Sequence, residues 1–453
     1  MVSSIKNLKN EIDNRLIAGG LDALACCQLQ GAQTILNSSI VTSVASITSL
    51  PSAPLNEGRL IYINDINEYR YSDGSEWTDD VTSTSRVYNT QLWAWGAGCC
   101  GRLGDGTTTD RCSPVREFYS AVDWRQVSTA NQSMAATKST GQLWSWGRGC
   151  CGQLGDGTTV GKCSPVREFC SATDWRQVSL GVYHTAAIKT SGQLWAWGLN
   201  ACGRLGDGTT VDRCSPVREF CSATDWCQVN GGGYRNSFAI KTTGQLWSWG
   251  IGGAGQLGDG TTVSKCSPVR EFCSASDWCR VSGGSAATVA IKTSGQIWTW
   301  GLNTCGDIGD GTTVSKCSPV REFCSATDWC GVSSGANHTA AIKTSGQIWT
   351  WGRGSCGRLG DGTTTTRCSP VREISSSTDW CQVSGGNVNT YAIKTNGQLW
   401  SWGINLCGRL GDGTVTDKCS PVREFSGDNS WCQVSSDLIA AAIKITSFRG
   451  FLE

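Results

Sequence analysis

The stretch Gly192-Gln193-Leu194-Trp195-Ala196-Trp197-Gly198 decides the fold, because it is one of seven near-copies. Its closing Trp-Gly pair recurs at Trp95, Trp146, Trp197, Trp249, Trp300, Trp351 and Trp402, each 51 or 52 residues after the last. A four-stranded propeller blade needs about 40–50 residues, so seven copies at this period predict seven blades. Outward from this core, each copy continues with variants of G-R-L-G-D-G-T-T, C-S-P-V-R-E, D-W-C-Q-V-S, a variable stretch, and A-I-K-T-S-G. Alternating apolar and polar residues in Q-L-W-S-W and D-W-C-Q-V-S, and the apolar run A-A-I-K, suit short strands. T-S-G and D-G are turns, where Gly and Asp accept left-handed backbone at low cost. The proline of S-P-V-R-E, such as Pro165 or Pro216, fits the start of an edge strand, where a missing N–H does no harm.

These units predict a blade running outward from D-W-C-Q-V-S through A-A-I-K and Q-L-W-S-W to S-P-V-R-E. The chain enters at the third strand type, near Gln91, and ends with the first two types at 431–434 and 440–444. First and last strands therefore share a blade, which removes the open edges of the ring. The fold class expected is all-β: a seven-bladed β-propeller over residues 87–447, closed by N- and C-terminal strands, with a small N-terminal helical/β appendage. Every tryptophan except Trp77 lies in a repeat unit and is expected to fill space between blades.

Composition narrows the function. Lys and Arg number 38 against 37 Asp and Glu, so no general attraction to nucleic acid or to an anionic membrane is expected. No apolar run approaches the roughly 20 residues of a membrane span, and no basic segment followed by an apolar core opens the chain. The two histidines, His184 and His338, occupy one position in two repeats, which is no basis for a catalytic or metal centre. The D-G-T turns, from Asp105 to Asp412, offer one carboxylate each, a poor calcium cage. The glycines of G-R-L-G-D-G are not followed by the Lys-Ser/Thr of a phosphate loop. The expectation is a binding protein, not an enzyme, without cofactor or metal. Most of the 26 cysteines follow the repeat but not as obligate local pairs. They are expected to be small buried thiols, with disulfides between blades as the alternative.

The run from Trp146 through Gly152, Gln153, Leu154, Gly155, Ser164, Pro165 and Val166 to Gly181, His184, Thr185 and Lys189 resembles the regulator of chromosome condensation repeat family. The resemblance spans about residues 88–445 and implies a seven-bladed propeller whose blade register is displaced from the repeat. Members of that family include a nucleotide exchange factor for a nuclear GTPase, a plant ultraviolet-B photoreceptor and a bacterial β-lactamase inhibitor, so the resemblance implies binding through the propeller's faces. The chain lacks a basic nuclear tail. The photoreceptor's Gly-Trp-Arg-His-Thr type motif is only echoed by Gly233, Tyr234, Arg235, Asn236 and Ser237.

Residues 1–86 do not repeat. Ile5, Leu8, Ile12 and Leu16 form an apolar stripe at helical spacing, and residues 21–36 suit a second helix. Residues 1–50 are therefore expected to be a helical docking or oligomerising segment, and 51–86 a small β-module. Within the latter, 58–77 reads as an antiparallel meander with turns at Asn64-Asp65 and Asp73-Gly74. That stretch resembles small modules near the N-termini of phage tail fibres and other virion proteins. The resemblance implies a virion appendage docked to other virion proteins through its N-terminus, homo-oligomeric, with a trimer among the arrangements. The propeller would then display a face to a host surface protein or glycan. The alternative is a cytoplasmic protein-binding scaffold.

The differences between near-identical repeats point to where a partner would bind. Two stretches vary most: the connection between first and second strands (129–134, 180–184, 232–237, 284–287, 335–338, 386–389, 437–439) and the residues after each Trp-Gly. In an antiparallel blade both emerge at one end, so both are expected on one face. Packing makes repeats alike, whereas a partner without seven-fold symmetry makes them differ. The first stretch offers Gln132, Tyr183, His184, Tyr234, Arg235 and Asn337 as candidate contacts, with His338, Asn387 and Asn389. The second offers Arg148 and Arg353. Neutral variation of exposed loops is the competing explanation.

Overall fold

The computed structural model describes the strands at 40–44, 60–63, 68–72 and 77–78, and residues 89–446 except Tyr234 and Ala286. The chain divides into two compact units: a propeller spanning Thr90–Thr446, and a small unit that holds the early strands. In the small unit, Leu60–Ile63, Glu68–Ser72 and Trp77–Thr78 pair antiparallel, the meander expected there. Ile40–Val44 joins it as a parallel neighbour of Leu60–Ile63, although the sequence reading leaves it in the helical segment. The helices expected at 5–16 and 21–36 lie outside the described residues.

The propeller has seven four-stranded sheets, in the strand order expected. A blade such as 175–218 runs from Trp175–Leu180 through His184–Lys189 and Leu194–Gly198 to Arg213–Arg218, all antiparallel. The seventh sheet joins Trp431–Ser436 and Ile439–Thr446 to Asn89–Gly96 and Arg111–Arg116, so the two ends of the repeat region share a blade.

The apolar core lies between blades. One cluster joins Ile188 and Leu194 of one blade to Trp226, Val229 and Trp249 of the next. The second tryptophan of each W-x-W-G unit is fully buried, and in six of the seven its indole N–H reaches a carbonyl across the blade interface. Trp197, for example, donates to the Gln153 carbonyl at 3.1 Å. Each D-W tryptophan is pinned by the buried glutamate of the preceding R-E unit. Glu168 accepts the N–H groups of Cys170 (2.6 Å) and Ala172 (2.5 Å) and the Trp175 indole at 3.3 Å. This carboxylate fixes the link that carries the chain from the outer edge of one blade to the inner strand of the next. The A-I-K lysine stands between two tryptophan rings, with Lys189 Nζ 5.0 Å and 5.5 Å from those of Trp175 and Trp195 and 2.9 Å from Asp174.

Around the axis, the innermost strands are joined by side chains. Leu180 N–H donates to Ser128 Oγ of the preceding blade at 3.0 Å, and the same bridge recurs at every one of the seven joints. The acceptors are Ser179, Asn230, Ser282, Ser333, Ser384 and Ser435 at the others. At four joints a glutamine two residues earlier adds a second bridge, as when Val229 N–H donates to Gln177 Oε1 at 3.0 Å. The equivalent of that glutamine is Arg280 in one blade and Gly331 in another.

His184 and His338 are interior groups. Nε2 of His184 lies 2.8 Å from Ser237 Oγ, and that of His338 lies 2.9 Å from Thr390 Oγ1. Both hydroxyls donate onward to backbone carbonyls, so each imidazole serves as the N–H donor in a chain between blades. Burial, aided by Arg204 and Arg358, pushes both imidazoles down to about 3.

Two outcomes follow from this packing. A Cβ on Gly331 meets nothing closer than Ile342 at 3.6 Å, so Gly331→Gln is sterically open. It is expected to supply the missing bridge to Val383 N–H and raise stability by about 1 kcal/mol. Ser333→Ala at the same joint lowers it by a similar amount, both read from urea unfolding. The histidines stay neutral when folded but take a proton near their ordinary value of 6.5 when unfolded. Their contribution is therefore present above that pH and lost as pH falls from 6.5 towards 3. Thermal midpoints measured over that window are expected to fall less steeply for the double variant His184→Gln, His338→Gln than for the wild type.

Candidate binding face

Both sets of variable residues emerge at one end of the disc and touch each other. Within a blade, the backbone N–H after the Trp-Gly pair donates to a carbonyl of the first-to-second connection. Arg148 donates to Gln132, Leu199 to Tyr183 and Arg353 to Asn337, each at 2.8 Å, and Ile251 to Arg235 at 3.0 Å. Between blades, buried arginines of the G-R-L-G units stitch the same layer together. Arg102 Nη1 donates to the Asn131 carbonyl at 2.8 Å, and Arg358 Nη1 to that of Asn387 at 3.2 Å. The irregular loops thus form one continuous surface. The near-constant T-S-G turns pack at the other end, where Gly141 and Gly192 receive the N–H groups of Trp175 and Trp226 from the next blade.

At the centre of the variable face the axial channel opens as a cavity of about 150 Å³. It is lined by the serine ring, by glycines such as Gly232, Gly284 and Gly335, and by Asn387 and Asp437. Burial pushes the Asp437 carboxyl up to about 7, against the pull of Arg409 and Arg102. A second cavity, of about 250 Å³, lies between Arg235, Asn236, Ile251, Gln256 and Ser285.

The eleven residues singled out from the sequence divide by burial. Arg235 and Arg353 are exposed, and Gln132, Arg148, Tyr183, Asn337 and Asn387 are partly exposed, all on this face. Gln132 and Arg148 join directly through Oε1 and Nη1. Three residues are corrected: His184, His338 and Asn389 are buried and serve the packing, Asn389 through the Tyr391 hydroxyl at 3.0 Å. Their loop neighbours diverge because they face solvent, whereas these side chains point into the blade interface. Tyr234 lies outside the described residues. Sequence reading passed over Asp307, which stands where the other repeats carry Arg or Gln. Burial pushes its carboxyl up to about 6, opposed by backbone N–H groups and by Arg358 and Arg353. That departure from Arg or Gln was the signal available.

Other groups weighed from the sequence have structural roles. The D-G-T aspartates accept hydrogen bonds from the threonine two residues on and pair with the cation before each C-S-P-V. Asp105 takes Thr107 Oγ1 at 2.8 Å and Arg111 Nη2 at 2.8 Å, which leaves no open cation cage. Among the described residues, no three His, Cys, Asp or Glu side chains converge as metal ligands. No described helix is long and apolar enough to cross a membrane. The cysteines differ from expectation: of those described, only Cys227 and Cys432 are buried, and the C-S-P-V and E-F-C thiols sit at or near the surface. Those segments form the outermost strand and the link beyond it, where no further layer covers them.

The RCC1-like domain matches residues 91–437. The chain is 30% identical to the ultraviolet-B receptor UVR8 of Arabidopsis thaliana over 315 residues, covering 68% of this chain and 71% of that protein. It is 28% identical to the mitochondrial RCC1 domain-containing protein RUG3 of the same plant, covering 76% and 84%. Among solved structures, Prp20p of Saccharomyces cerevisiae superposes with a TM-score of 0.69 at 17% identity, covering 80% of this chain and 93% of that one. With seven closed blades, the displaced register and the matched repeats in agreement, the chain belongs to the RCC1-like domain family of β-propellers.

Proposed function

We propose that this protein is a protein-binding propeller that reads its partner with the face carrying Tyr183, Arg235, Asn337, Arg353 and Asn387. The observation that carries this reading is the segregation of difference. Scaffold segments are nearly identical from blade to blade, while the divergent residues are hydrogen-bonded into a single surface. A rigid disc presenting ordered loops loses little entropy on binding. The exposed guanidinium groups of Arg235 and Arg353 suit a partner surface with carboxylates. Prp20p, which shares the fold, has described binding to Gsp1p and histones. On this reading the protein is a cytoplasmic scaffold rather than an enzyme, and binds without a cofactor.

A second reading adds a setting to the same face. The meander at 60–78 favours an N-terminal module that docks the propeller to a particle, so that the face meets a host surface protein or glycan. Fractionation of purified particles against cell extract separates the two settings.

The binding reading is tested with photo-crosslinking residues placed at Tyr183, Arg235 and Asn387, and at Ser191 and Ser294 on the opposite face. Crosslinks to one defined protein are expected from the first group. Tyr183→Ala with Arg235→Ala should weaken that protein's affinity at least about tenfold, the loss of roughly one recognition residue. Crosslinks from the T-S-G face alone would overturn the assignment.

A further inference from the structure

We propose that the outer rim of the propeller holds a ring of thiol pairs, one cysteine from each of two adjacent blades, that an oxidant of the disulfide class converts into blade-to-blade staples. The pairs join the cysteine before each G-x-L-G unit to the C-S-P-V cysteine of the next blade.

The geometry comes from the glycine between. A Cβ placed on Gly101, the residue after Cys100, would lie 2.4 Å from the Cα of Cys163 and 2.6 Å from its Sγ. Gly203 meets Cys266 in the same way, Gly306 meets Cys368, Gly357 meets Cys419, and Gly408 meets Cys112 across the closing joint. Neighbouring Cα atoms are about 3.8 Å apart, so the facing cysteines are within about 8 Å of each other, next to the range a disulfide spans. Side chains agree with this placement: the Cys407 thiol lies beside the carboxylate of Asp110, two residues before Cys112. Cys151 similarly lies beside Asp212, two residues before Cys214.

Two further observations separate these cysteines from inert filler. Cys100, Cys202, Cys356 and Cys407 have φ between 61° and 68°, a left-handed backbone in which Gly or Asn is the ordinary occupant. A thiol is held there against local preference. The column is also broken once: Ala254 replaces the cysteine opposite Cys317, so six of the seven joints carry both partners. Cys151 has a second neighbour, Cys150, with the sulfurs 3.3 Å apart.

Oxidised glutathione is a sufficient oxidant. One cysteine thiolate attacks it and releases one glutathione. The facing thiolate then attacks the mixed disulfide and releases the second. Each joint loses two protons and two electrons, and one glutathione disulfide is reduced.

The full chain, purified with reductant and then exposed to oxidised glutathione, is digested without reduction and mapped by mass. Linked peptides are expected for Cys100–Cys163, Cys202–Cys266, Cys305–Cys368, Cys356–Cys419 and Cys407–Cys112, with Cys151 joined to Cys214 or Cys150. The intact mass should fall by about 12 Da, 2 for each of the six bonds. Cys317 should stay open to alkylation in the wild type and become linked in Ala254→Cys, with a further fall of about 2 Da. The proposal is overturned if Cys112, Cys163, Cys266, Cys368 and Cys419 remain alkylatable after oxidation. It is also overturned if the linked peptides involve the E-F-C set, Cys170, Cys221, Cys273 and Cys324, instead.

Discussion

The structure depends on one constraint: seven innermost strands meet around an axis, and each presents an edge with no strand beside it. An edge N–H left without a partner is costly, and inner strands of neighbouring blades are too far out of plane to form a ladder. The chain meets this with a serine, or once an asparagine, at one fixed position of every inner strand, whose oxygen accepts an N–H from the next blade. Because the bridges close on themselves, with Ser435 accepting Thr129 N–H, no blade is terminal. The spacing of the repeat, the shared blade at the closing joint and the narrow polar channel all follow from satisfying this ring.

Outward from the axis the same problem is solved by other groups. Tryptophans carry the apolar area between blades; the D-W indoles are directed to the buried glutamates, and six of the seven second W-x-W-G indoles to carbonyls of the neighbouring blade. The glutamates tie down the links, and the lysine between two rings with its aspartate closes the T-S-G end. These contacts run through residues that are constant along the repeat, except that in the last copy Ser430 replaces the aspartate and Asp428 takes its place. What varies is left over from this requirement, which is why the loops at the mouth of the channel diverge while the opposite end does not.

The rim is the third zone. Its cysteines and the exposed phenylalanines of the E-F units lie where no additional layer covers them. Their periodic placement brings cysteines of adjacent blades close to one another at every joint but that of Ala254.

Much of this was legible in the chain itself. The Trp-Gly period set the blade number, the alternation within Q-L-W-S-W and D-W-C-Q-V-S gave the strands, and the entry near Gln91 foretold the shared blade, because each is a local pattern that packing forces into every copy. The side of the disc on which the variable loops emerge was also legible, since antiparallel connectivity fixes it. What only the tertiary structure decided was direction and depth within those loops. His184, His338 and Asn389 look like their exposed neighbours in sequence, yet they turn into the blade interface, because the next blade supplies Ser237 or Thr390 for the histidines and Tyr391 waits beneath Asn389. The cysteines likewise read as core by residue type, and only the absence of a layer outside the fourth strand places them at the surface. Period and connectivity are properties of one chain segment, whereas burial is settled by what a neighbour some fifty residues away brings to the same place.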